Sequence, residues 1–217
     1  MQMKGFMSVV LLLTVQHVAA QRPWRIDYGV SAGATKPTYV LENIRSGVSR
    51  EASSTYNGHL GGWVMFSPNS YVGLQTGISV AGLGAVLKKS EFGSHEVLQH
   101  TYWLQVPLSL VGKLPLRDSS NFFITVGLYG GLGVFGKNYI PDSYDGNAQQ
   151  TFAFGENGSQ QRTDYGALLN LGYRLRSGYS LSIGYQYGKL DVAPSQAAFE
   201  QRNRAYVVTI GYQLSSK

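Results

Sequence analysis

Few side chains in this sequence have the type and spacing that chemistry requires. Ser90, Ser94, His95 and Glu96 stand close together, with His100 shortly after. A serine nucleophile, a histidine base and an orienting carboxylate would make a hydrolase site. No fixed spacing ties these residues together, and loops carry the same types for solubility. Gly131-Leu132-Gly133-Val134-Phe135-Gly136 spells G-x-G-x-x-G. A dinucleotide site needs a helix N-terminus after that motif, but here a polar loop follows a strand, so the expected role is packing. Asp142, Asp145 and Asn147 around Gly146 lack the downstream bidentate glutamate of a calcium loop and read as turn formers. His59, His95 and His100 are too scattered for a metal site. The absence of cysteine removes thiol nucleophiles, thiolate zinc sites and disulfide frameworks. The expectation is a chain with no catalytic set, no cofactor and no metal.

The elements that carry these residues are strands. Of 217 residues, 27 are glycine and 15 tyrosine, while only 14% are charged, against about a quarter in an ordinary soluble domain. Mean hydropathy is −0.11. With 43% hydrophobic and 12% aromatic residues there is enough to bury, which excludes disorder. The glycine content disfavours helices. Residues 1–20 read as a cleaved secretory signal: Lys4, an apolar core from Ser8 to Val15, then Val18-Ala19-Ala20. The formal net charge of +6 includes no basic cluster with interleaved aromatics, so nucleic acid is not an expected partner.

From Gln21 to Lys217 the sequence alternates eight times. Tyr179 to Tyr187 sets Tyr179, Leu181, Ile183, Tyr185 and Tyr187 against Ser180, Ser182, Gly184 and Gln186. The same two-residue period runs through Arg25–Thr35, Thr55–Phe66, Tyr71–Val86, Leu98–Val111, Asn121–Phe135, Asp164–Leu175 and Arg204–Leu214. In each, one face is apolar and the other is Gly, Ser, Thr, Gln and Asn, almost without charge. A soluble sandwich would put Lys and Glu on its outer face. An apolar face toward lipid and a small polar face toward a crowded lumen fit a transmembrane barrel. Lipid leaves no backbone group unpaired, so the sheet must close. The expected fold is an all-β, eight-stranded antiparallel transmembrane β-barrel. The connections support it, because long and short ones alternate along the chain: Lys36–Ser54, Ser67–Ser70, Leu87–Val97, Gly112–Ser120, Gly136–Thr163, Arg176–Gly178 and Asp191–Asn203. Pro107, unable to donate to a ladder, predicts a local bulge.

Side chains then fall into predicted places. Trp24, Phe66, Phe122, Tyr173, Tyr179 and Tyr212 form an aromatic girdle at the periplasmic edge of the apolar face; Tyr56, Tyr102, Tyr165, Tyr187 and Tyr206 form a second at the extracellular edge. Arg25, Asp27, His59, Gln105, Asn170 and Arg174 point into the lumen as a polar network that plugs it. Tyr139, Tyr144, Phe152 and Phe154 on the longest loop form a candidate binding surface.

The run Gln99-His100-Thr101-Tyr102-Trp103-Leu104-Gln105-Val106-Pro107-Leu108 resembles a strand of the PorT-like outer-membrane barrels of the Bacteroidetes. Leu171-Gly172-Tyr173-Arg174, Ile183-Gly184-Tyr185-Gln186-Tyr187-Gly188 and Thr209-Ile210-Gly211-Tyr212-Gln213-Leu214 resemble that family's closing strands. Such barrels often end on an aromatic residue, whereas this sequence ends Leu214-Ser215-Ser216-Lys217. The resemblance implies an outer-membrane location in a Gram-negative bacterium, contact with outer-membrane lipid, and association with secretion or envelope-assembly proteins. The expected role is a non-catalytic outer-membrane component that presents loops outward. The alternatives are a lipid-A-modifying enzyme, using the Ser/His/Glu residues above, and a small porin-like channel.

Overall fold

The computed structural model describes residues 24–88, 96–140, 148–156 and 158–216. The expected signal segment, Ser90, Ser94, His95, Asp142, Tyr144, Asp145, Gly146 and Asn147 lie outside these residues. Ten strands make one antiparallel sheet: β1 (Arg25–Asn43), β2 (Ser49–Glu51), β3 (Asn57–Ser67), β4 (Val72–Leu87), β5 (Val97–Pro115), β6 (Asn121–Ile140), β7 (Ala148–Thr151), β8 (Thr163–Arg174), β9 (Tyr179–Gly188) and β10 (Phe199–Ser216). Each of the eight long strands pairs with its sequence neighbour, and β10 pairs with β1. That last pairing runs from Asp27↔Ser216 to Asn43↔Phe199 and closes the barrel. β2 and β7 are short additions to the outer ends of β1 and β6.

The wall is apolar outward. Leu110 is 63% exposed, Ile183 62% and Ile210 60%, a surface that water would reject over so wide a belt. The two girdles stand at its edges. Phe122 packs against Tyr173 (4.8 Å) and Tyr179 against Tyr212 (4.7 Å) at one edge, both pairs tilted, with Trp24 exposed just before β1. At the other edge Tyr56, Tyr165 and Tyr206 face outward, and Tyr206 packs on Tyr185 at 5.1 Å. A closed sheet with an apolar belt between aromatic rings is a membrane-spanning barrel of the outer-membrane type.

The β3–β4, β5–β6 and β8–β9 connections are tight and share one rim with both strand ends of the seam. Asn69 Oδ1 accepts the Tyr71 and Val72 amides at 2.8 and 2.9 Å, a side chain standing in for backbone in the first turn. Gly178, with φ at +91°, turns the third, as a non-glycine residue there would be strained. At the opposite rim the strands run past their expected ends, β1 to Asn43 and β6 to Ile140, while β10 begins at Phe199. Strict alternation stops at the lipid edge, because above it neither face meets hydrocarbon; ladder pairing continues without it.

Two register details depart from expectation. No register shift occurs at Pro107, which pairs with Tyr129 in β6. On its other side the ladder toward β4 is interrupted between Thr76↔Leu108 and Ser79↔Gln105 without a change of register, and Thr76 Oγ1 donates to the Pro107 carbonyl at 2.8 Å. The irregularity lies instead between Tyr102 and Trp103, opposite Gly133 and Phe135. The extra residue is Val134, so Val134 and Phe135 are both exposed, as a bulge requires.

Candidate functional site

The inner rim, with the tight turns, surrounds an open mouth of about 720 Å³. Arg25, Lys113, Arg174 and Arg176 line it against one carboxylate, Asp27. Arg25 Nε and Gln213 Nε2 each donate to Asp27 Oδ1 at 2.9 Å. Arg174 Nη1 donates to Gln213 Oε1 at 3.1 Å, and Lys113 Nζ donates to Ser67 Oγ at 2.8 Å. The Arg174 guanidinium also sits over Trp63 (5.2 Å) and Phe123 (5.5 Å), where the ring faces attract a cation. Its Nε is buried without a hydrogen-bond partner among the described residues. The mouth is therefore rich in positive charge, and anions are its natural occupants.

Above it the six residues expected in one lumen network separate into layers. Arg25 and Asp27 stay at the mouth, and Arg174 reaches from it into the next layer. His59 Nε2 shares a hydrogen bond of 3.1 Å with Thr209 Oγ1, and Asn170 packs beside Gly184, both around a small cavity of about 160 Å³. Gln105 is higher, beside Trp103 and Gly131. The charged group lines an open mouth; the seal lies elsewhere. Lys113 and Gln213 complete the mouth. The inner parity of β5 runs on through Ser109 and Val111 to Lys113, a signal hidden when the strand is ended at Val111.

The outer half of the lumen is filled. Trp103 is 0% exposed and meets Phe154 edge-on at 5.1 Å; Tyr39, Leu83 and Val192 are buried beside or above it. Trp103 Nε1 donates to Thr101 Oγ1 at 3.0 Å, so the indole is satisfied without water. Gln160 Nε2 donates to Gln99 Oε1 at 3.3 Å, and Gln99 Nε2 to Asn138 Oδ1 at 3.1 Å. Tyr129 Oη and Asn203 Nδ2 both donate to Asp164 Oδ2, at 3.0 and 2.9 Å. The Gln161 amide donates to the Val192 carbonyl at 3.0 Å, tying two outer loops together across the opening. Phe152 and Phe154 thus correct the expected loop surface. They are half-buried and turned inward, edge-on to each other with centroids 4.9 Å apart. The G-x-G-x-x-G run explains why they fit: side chains at Gly133 and Gly136 would strike the Phe154 and Phe152 rings at 2.5 Å. Those glycines seat two aromatic rings and no phosphate.

Tyr139 lies on the outside of the wall, edge-on to His100 at 6.0 Å. Of the residues with hydrolase types, Glu96 and His100 are described. His100 Nδ1 lies 2.7 Å from Asn57 Oδ1, and Asn57 Nδ2 donates to the Leu83 carbonyl at 2.9 Å. Asn57 spans β4 to do so at Gly82, where a Cβ would meet the Asn57 Cβ at 2.6 Å. A groove of about 460 Å³ follows, lined by Asn57, Leu98, His100, Tyr102, Phe135, Lys137 and Tyr139. Elsewhere on this rim Lys36 lies over Tyr56, and Arg204 over Tyr187 while paired with Glu51. Among the described residues no three His, Asp or Glu side chains converge as metal ligands.

No family model and no curated protein matches this chain. Crystal structures of outer-membrane proteins are among those similar to it. Ail, the attachment invasion locus protein of Yersinia pestis, is 12% identical, over 87% of this chain and 98% of that one, with a TM-score of 0.45. Neisserial surface protein A is 11% identical over 86% and 97%, with a TM-score of 0.45. The outer-membrane protein OprG from Pseudomonas aeruginosa is 11% identical over 88% and 95%, with a TM-score of 0.48.

Proposed function

We propose that this chain is a non-catalytic, non-conducting outer-membrane barrel that serves as an accessory component of an envelope or secretion complex. The observation that carries the reading is the filled outer half, where Trp103, Phe154, Tyr39 and Val192 close the lumen while the inner mouth stays open. A pore needs a wet path from end to end, and eight strands leave an interior that side chains just fill. With short turns on the periplasmic side, the basic mouth faces the periplasm. A blind, positively charged vestibule there suits the docking of an acidic segment of a periplasmic partner. The PorT-like strand motif around Val106-Pro107-Leu108 supports the same role.

Two measurements test it. Purified protein in planar bilayers is expected to give no conductance steps; steady steps in the wild type would establish the porin-like alternative instead. Crosslinking in native outer membranes, with a photoreactive residue at Arg176, is expected to capture a defined partner. Recovery of the barrel alone in every preparation would remove the component role.

A further inference from the structure

We propose that the groove between the outer ends of β5 and β6 binds the phosphate-bearing headgroup of an outer-leaflet lipid. The groove is on the lipid-facing side of the wall, at the level of the outer aromatic girdle. Its floor is the stacked pair Tyr102 and Phe135, 4.4 Å apart and nearly parallel at 19°. Above that pair His100 and Lys137 are direct cross-strand partners, which puts their Cβ atoms about 5 Å apart on one face.

The imidazole is held for this purpose. Asn57 Nδ2 is committed to the Leu83 carbonyl, so Asn57 presents its oxygen to His100. His100 Nδ1 must then be the protonated nitrogen and donate to that oxygen, which leaves Nε2 for a ligand. Lys137 has no carboxylate within ion-pair distance among the described residues. An ammonium and an imidazole nitrogen side by side suit a phosphate monoester; Lys137 supplies charge, and the His100 Nε2 lone pair accepts a directional hydrogen bond from the P–OH of the singly ionised headgroup. Arg204 and Arg202 on the same rim are paired to Glu51, Glu42 and Glu200, so they are not equivalent.

The surface below the groove accounts for the rest of a lipid. On the outward face of β5 and β6, Leu104↔Leu132 is followed by Val106↔Gly130 and Leu108↔Leu128. A Cβ at Gly130 would meet nothing within 4 Å. The missing side chain leaves an apolar notch on the same face, below the Tyr102–Phe135 and Leu104–Leu132 rows and about 20 Å along the strands from the cationic pair, within reach of an acyl chain. A free phosphate ion would have no use for it.

The test uses the refolded full barrel in a zwitterionic detergent, with native mass spectrometry as readout. The probes are phosphatidic acid, phosphatidylcholine with identical chains, and inorganic phosphate. One phosphatidic acid is expected to be retained about tenfold better than phosphatidylcholine, the order expected of one charge-assisted contact. Lys137→Gln and His100→Gln should erase that preference, and Gly130→Leu should reduce retention of both lipids. Lys36→Gln, on a cation outside the groove, should change nothing. Equal retention of the two lipids, or unchanged preference in Lys137→Gln, overturns the proposal. Displacement of the lipid by millimolar inorganic phosphate, with Gly130→Leu indifferent, would mean a free-anion site and also overturns it. If the groove variants fail to give the heat-shifted band of a folded barrel, Gly130→Leu, which adds bulk only on the open outer face, decides alone.

Discussion

The two ends of the lumen are built from the same alternating strands and end in opposite states. At the inner mouth Arg25, Asp27, Lys113, Arg174 and Gln213 line open space, and Arg25 remains 56% exposed. At the outer end the inner-face residues Thr101 and Trp103 are fully buried, and residues from two loops sit on top of them. The strands supply inward-facing side chains at both ends. What differs is chain length beyond the wall: tight turns have nothing to fold inward, whereas the outer connections have Phe152, Phe154, Gln160 and Val192. Closure is thus a property of the loops, seated on glycines in β6. Cations line the lumen where closure is absent and water can solvate them, whereas Asp164, buried in the filled half, is held by Tyr129 and Asn203.

The contrast can be broken most severely at Trp103. Trp103→Ala removes the largest buried side chain of the seal and should cost about 3–5 kcal/mol, read as a lower urea midpoint for unfolding of the refolded barrel. A loss of less than about 1 kcal/mol would mean that the outer half is loosely filled, and the difference between the ends would vanish. At the mouth, Asp27→Asn weakens the bonds from Arg25 and Gln213. Because Arg25 is well solvated, the expected loss is only about 1–2 kcal/mol. A larger effect there would show the mouth to be as tightly specified as the seal. Asp27→Asn should also strengthen binding of an acidic peptide to the mouth, measurable by fluorescence anisotropy, since it deletes the one carboxylate lining it.

The smallest effect is expected in the β5–β6 turn. The Ser120 hydroxyl and then the Ser120 amide donate to Asp118 Oδ1, at 2.5 and 3.1 Å, and hold that carboxyl below the ordinary aspartate range. A depressed folded value means the turn is stabilised above the unfolded value, with that stability lost as pH falls through the folded one. Protection of the Ser120 amide from hydrogen exchange should therefore fall in acid in the wild type and be flat with pH in Asp118→Asn.

Much of the wall was legible in the sequence because lipid imposes a strict rule: Ile183 and Ile210 must face out, Ser182 and Thr209 in. Tyr179, Tyr212 and the other girdle residues follow from the same parity. The rule lapses where hydrocarbon ends. That is why β1 and β6 outrun their expected limits, and why parity alone does not place Phe135, displaced by the bulge at Val134, in the outer girdle. Trp103 could be assigned to the lumen by parity, but its partner Phe154 could not, since a loop's inward fold depends on tertiary packing. The Asn57–His100 contact was equally hidden. It joins residues in β3 and β5 across a strand whose Gly82 lets them meet, and no local pattern encodes such a reach.

The seam between β1 and β10 ties nearly the first described residue to nearly the last, from Asp27↔Ser216 to Asn43↔Phe199. Its loop-closure entropy is the greatest in the sheet, and its contacts have the largest sequence separation. A chain still emerging, or cut short before Phe199, would carry β1 with an unpaired edge in an environment that tolerates none. Completion of synthesis therefore precedes stable insertion, and the final strand acts as the latch for the whole assembly.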